Sequence, residues 1–162
     1  MDMMVLIAQT CLLGYLAAWM ITGVRDNIVH PSINGVLVQQ VMELRRMQEE
    51  APDEFHLLKS RRITNRRTQR GLFVAIVIFE FLTAILLLAG VAAMALAVFG
   101  AIDAESAKVV ALAGALSFTT VWCGMLVVGN HFAYWCFHEG AQNTHFQLAC
   151  LGVGEMILLA AA

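Results

Sequence analysis

Two carboxyls, Glu80 and Glu155, stand inside long apolar runs, where an ionisable group is costly enough to raise a functional question by default. Glu80 falls nine residues into its run from the nearer charged end, about 14 Å at 1.5 Å per residue, and Glu155 lies at a similar depth counted from Thr144. Thr119 and Thr120 fall ten or eleven residues from Asn130 in an antiparallel run, about 15 Å deep. The four are therefore expected to share one polar layer near the middle of a bilayer. No Lys or Arg stands at that depth to pair with either acid, and desolvation disfavours the charged form. Each carboxyl is expected to keep its proton and donate to a threonine hydroxyl or a helix carbonyl. Such a layer can act as a neutral clamp between helices or as a proton or ion path. A path needs polar steps to both surfaces; Asn130, His131 and His145 sketch one side, and Gln9 and Thr10 alone offer anything on the other.

A second constellation is His131, His138 and His145, spaced by seven, which one continuous helix would place on a single face. Gly140 and the stretch Gln142-Asn143-Thr144 predict a break there instead. Phe132, Tyr134, Trp135 and Phe137 read as an interfacial aromatic belt, with the histidines hydrogen-bonding beside it. The sharper alternative is ligation of a metal or a haem b iron by His131 and His145 across a helical hairpin, with Glu139 the one acidic partner at hand. Cys11, Cys123, Cys136 and Cys150 form no close metal-type pair and read as small apolar fillers.

The elements that must position these groups follow from composition. The 162 residues are 60% hydrophobic and 14% charged, with a mean hydropathy of +0.74, which is membrane-protein composition. A net charge of −2, with the basic residues gathered in one segment, leaves no broad basic face for nucleic acid. Four apolar runs without Lys or Arg are near the roughly 20 residues that a bilayer crossing needs: about 3–24, 71–100, 109–130 and 144–162. The predicted fold is an all-α membrane protein, a small bundle of four transmembrane helices in one domain over 1–162. The first run follows Asp2, lacks Lys and Arg and has no small-residue cleavage site, so it reads as an anchor rather than a removable leader.

Between the first two runs lies a loop, 25–70, holding nine of the ten Lys and Arg residues. Lys59, Arg61, Arg62, Arg66, Arg67 and Arg70 sit close to a span, so the positive-inside rule predicts a cytoplasmic loop, with these side chains on anionic lipid. Ile33, Val36, Val38, Val41, Met42, Leu44 and Met47 predict an amphipathic interfacial helix over about 34–48, started by Asn34 and stopped by the acidic stretch before Pro52. Close helix packing in lipid relies on small residues. Thr10, Gly14 and Ala18 supply a stripe on the first span, Ala89, Ala93 and Ala97 on the second, and Ala107, Ala111 and Ala115 on the third.

The stretches DNIVHPSINGVLVQQVMEL, FEFLTAILLLAG and GNHFAYWCFHEGAQNTHFQL resemble the predicted small integral membrane proteins of domain-of-unknown-function family 2165. The matching positions are Asn27, Val38, Gln39, Val41, Glu80, Phe132, Trp135, Gln142 and Phe146. The resemblance implies a bacterial inner-membrane protein with four spans and brings no activity, cofactor or partner. The chain differs from that pattern in carrying its positive charge on Lys59 to Arg70 rather than on the turn between the second and third spans.

The function expected from these readings is that of a non-catalytic accessory or assembly subunit of a larger respiratory, photosynthetic or membrane-oxidase complex, partnered by other membrane subunits and lipids. The alternatives are a haem- or quinone-binding redox subunit using His131 and His145, and a small proton-coupled transporter using Glu80 and Glu155.

Overall fold

A computed structural model describes residues 3–161; Asp2 and the end of the fourth run at Ala162 lie outside the described residues. Among these, all regular structure is helical. Helix α1 spans Met3–Val29, and α2, α3 and α4 follow over Pro31–Met42, Arg45–Glu50 and Pro52–Leu58. A 3-10 turn at Lys59–Arg61 leads to α5, Arg66–Val98, and then to α6, Ala104–His131. A second 3-10 turn at Tyr134–Cys136 precedes α7, Glu139–Ala160.

Three helices, α1, α5 and α6, are long and apolar enough to cross a membrane, where the sequence predicts four. Helix α7 has 22 residues, but Glu139, Gln142, Asn143, Thr144 and His145 occupy its first two turns and shorten its apolar run. Helix α5, at 33 residues, extends about 50 Å, well beyond a hydrocarbon core of about 30 Å. The excess carries Arg66, Arg67 and Arg70 in its first turns, started by Asn65, whose side chain accepts from the backbone N–H groups of Arg67 and Thr68. Asp103 caps α6 in the same way, and its side-chain bond with Ser106, with the backbone N–H groups of Glu105 and Ser106, holds its carboxyl below the usual range.

Helix α5 packs on both α1 and α6, and α6 packs on α7, while α1 and α7 touch only sparsely. The buried face of α1 runs through Leu6, Gln9, Leu13, Leu16, Met20, Val24 and Asn27, in steps of three or four. The stripe Thr10, Gly14 and Ala18 lies one residue off that face: a side chain at Gly14 would meet nothing, and Ala18 is exposed. On α5 the buried positions are Gln69, Glu80, Thr83, Ala84, Leu87, Gly90, Met94 and Ala97, so only Ala97 of the predicted stripe is buried and Ala89 is exposed. Gly90 brings that helix onto the backbone of Ala111, and Gly114 meets the backbone at Leu86 and Leu87. The predicted stripe of α6 is internal, with Ala107, Ala111 and Ala115 fully buried.

The amphipathic segment is not one helix over 34–48. Pro31 starts α2, its missing N–H costing nothing at that position. Leu44 then takes a left-handed conformation, φ +52°, which ends the helical run. The reward is burial: Leu44 joins Met42, Met47, Phe55, Phe132 and Ala133 in a second apolar cluster that joins the loop to the α6–α7 connection. Asn34, expected as the start signal, donates instead to Asn27.

Candidate functional site

In the half remote from the loop, α1 and α7 are tied by Gln9, whose Nε2 donates to the Leu158 carbonyl at 2.8 Å. Towards the loop the two helices instead line a cavity of about 800 Å³, with walls from α1, α5, α6 and α7 and a cover from α2. That volume is within the range of small-molecule sites, roughly 300–1,000 Å³. The lining is predominantly apolar, with polar groups confined to a few positions.

The first polar group is a chain across three helices. Asn34 Nδ2 donates to Asn27 Oδ1 at 2.7 Å, and Asn27 Nδ2 donates to Glu80 Oε2 at 2.7 Å. Glu80 therefore accepts from an asparagine rather than donating to a threonine, because α1 continues as helix past Arg25 and carries Asn27 onto α5. Glu80 lines the cavity, and the bond from Asn27 to Oε2 is its one side-chain hydrogen bond among the described residues.

The second group is aromatic. The His145 ring stacks with Trp122, centroids 5.4 Å apart, and with Tyr134, 6.1 Å apart, and the Tyr134 hydroxyl stands 3.4 Å from His145 Nδ1. Tyr134 reaches this position by a fold-back after α6. Ala133 adopts φ +50°, and Gly129 leaves the space that the tyrosine ring fills, where a methyl group would collide with it. The break expected near Gly140 thus falls earlier, over Phe132 to His138, and Gly140 lies inside α7. Of the predicted aromatic belt, Phe132 and Tyr134 are buried and Phe137 packs partly against the loop cluster, while Trp135 is exposed. Burial pushes the Tyr134 phenol up, so it stays a neutral donor. Burial, followed by the charge of Arg46, holds the His138 imidazole below its ordinary value.

The loop forms the lid of this half. Gln39 Nε2 donates to Gln69 Oε1, and Gln69 Nε2 donates to the Ile63 carbonyl and to Glu43. Burial raises the Glu43 carboxyl, but the bond from Gln69, the bond from Arg45 and the charges of Arg66 and Arg45 outweigh it and leave it lowered. Arg46 donates to the Phe137 carbonyl and Arg61 to the His131 carbonyl, and Arg62 lies over the Phe55 ring. Three residues of the predicted lipid-contact run, Arg61, Arg62 and Arg66, are thus engaged with the protein itself.

The predicted polar layer separates. Glu155 is buried with both carboxyl oxygens unpartnered among the described residues. Thr119, packed against Gly152, donates to the Ala115 carbonyl of its own helix, and Thr120 donates to Leu116 from an exposed face. The interhelical hydroxyl pair is Thr83 with Ser117, 2.7 Å apart, which sequence reasoning missed because both residues are unremarkable in apolar runs. His131 is exposed at the end of α6, edge-on to Phe132, and does not line the cavity that His145 lines. Among the described residues no cluster of three or more His, Cys, Asp or Glu side chains could hold a metal ion.

A family model described as predicted small integral membrane protein matches residues 5–162, nearly the whole chain. The chain belongs to the DUF2165 family. No curated protein and no solved structure matches it. Within this DUF2165 protein, Asn27, Val38, Val41, Glu80 and Phe132, all positions that carried the resemblance, line the cavity, whereas Phe146 and Trp135 are exposed.

Proposed function

We propose that this DUF2165 protein is a non-catalytic membrane subunit that holds an apolar or amphipathic small molecule between its helices. The cavity of about 800 Å³ carries this reading: it lies between helices apolar enough for a membrane, and its polar groups are few and converge from separate elements. On this reading α7 is a fourth crossing, the protein resides in a bacterial inner membrane, and the loop that caps the cavity is cytoplasmic, as its charges favour. The test is native mass spectrometry of protein purified in a mild detergent. A stoichiometric small-molecule adduct is expected, and it should be weakened when Ala18→Trp and Ala141→Trp together narrow the cavity. An adduct-free protein, or an adduct indifferent to the narrowing, would count against the proposal.

A second reading, an accessory subunit docked on other chains of a larger membrane complex, is favoured by the α1 stripe. Gly14 and Ala18 offer close backbone approach on a surface that no helix of this chain covers. The two readings are compatible, since Ala18 also stands at the cavity wall.

A further inference from the structure

We infer that the cavity is built for a lipophilic organic cation, an onium centre carrying apolar substituents, with the Glu80 carboxylate as its counter-charge. The inference rests on the binding role proposed above and names the guest. Its first support is Glu80 itself: the residue lines the cavity, Asn27 holds its Oε2, and no other side-chain hydrogen bond engages the carboxyl among the described residues. Its second is charge. The lining includes two carboxyl side chains, Glu80 and Asp26, two imidazoles, His138 and His145, and no Lys or Arg; Asp26 already accepts from Arg25, and neither histidine is hydrogen-bonded or ion-paired to Glu80. Desolvation disfavours a lone carboxylate, and a guest that brings the positive charge lets the carboxyl release its proton and pair with it. An anionic guest would meet the same carboxyls with no Lys or Arg in the lining to pair with it. The third support is aromatic: Tyr15, Trp19, Phe73, Trp122, Phe132 and Tyr134 reach the lining from α1, α5, α6 and the α6–α7 connection. Aromatic faces attract a desolvated cation and also cover its apolar substituents.

The experiment uses the full chain in detergent and three probes of similar size and differing charge: tetraphenylphosphonium, tetraphenylborate and neutral triphenylphosphine oxide. Affinities are measured by calorimetry against empty micelles. Tetraphenylphosphonium should bind at least tenfold more tightly than either of the others. Glu80→Gln should weaken it at least tenfold while leaving triphenylphosphine oxide unchanged. Trp19→Leu, at a half-exposed position whose loss leaves the core intact, should weaken the cation more than the neutral probe, so the test stands even if the Glu80 variant fails to fold. Equal affinity for cation and neutral probe, or a cation affinity unaffected by both variants, overturns the cation assignment and leaves a neutral binding cavity. Failure of all three probes to bind overturns the binding role itself.

Discussion

Replacing Gly90 with alanine tests the close backbone approach of α5 and α6. A Cβ at Gly90 would sit 2.9 Å from the Ala111 Cα and 3.1 Å from Leu13 Cδ2. Carbon atoms prefer about 3.5–4.0 Å, so the first contact is short by about 0.6–1.1 Å, and the obstacle is backbone, which cannot rotate away. Helices α5 and α6 must separate, and overpacking of this kind costs about 1–3 kcal/mol. Alanine also gains about 1 kcal/mol of helix propensity over glycine, which would mask part of the loss. Gly124→Ala supplies the reference, because a side chain there meets nothing within 4 Å and the same propensity applies. The difference between the two variants should therefore be about 1–3 kcal/mol, with Gly90→Ala the less stable. Reversible unfolding in mixed micelles by steric trapping measures it. Equal stability of the two would refute the close approach of α5 and α6 at this level.

A double-mutant cycle with Asn27→Ala and Glu80→Ala should give a coupling of about 0.6–1.7 kcal/mol, the range of intramembrane hydrogen bonds, and Glu80→Gln should retain most of the single-site stability; zero coupling would remove the Asn27–Glu80 bond from the account. Glu43 has a carboxyl held below its ordinary value of 4.5, so its contribution is present above that value and is lost as pH falls through the lower folded one. Hydrogen exchange over α2 to α4 should accelerate on acidification below about pH 4.5, and Glu43→Gln should abolish that dependence. A cysteine at Ser60, with Cys136 replaced by serine, should resist an impermeant thiol reagent in intact cells, and ready labelling would place the loop on the outer side.

The sequence by itself determined the class of protein and the location of its long helices. Apolar runs and a basic loop are one-dimensional signals, legible because lipid demands apolar length and because positive charge gathers outside it. Family membership was legible for the same reason, resting on local stretches of chain. Glu80 stood out as an acid in an apolar run, but its partner did not. Asn27 looked like the start of a loop, and only the continuation of α1 to Val29 and its packing on α5 bring the two within 2.7 Å. The small-residue stripes show the same division. Spacing by four marks a helical surface, but which surface is buried depends on how each helix is rotated, and Gly90 and Gly114 rather than Ala89 and Ala93 proved to make the contact. The left-handed residues Leu44 and Ala133 carry no turn signature of their own; burial in a shared apolar cluster compensates for their backbone conformation. The cavity belongs wholly to the tertiary structure. It exists because α1 and α7 are tied at Gln9 and stand apart towards the loop, and such a separation between distant segments leaves no trace in the pattern of either one.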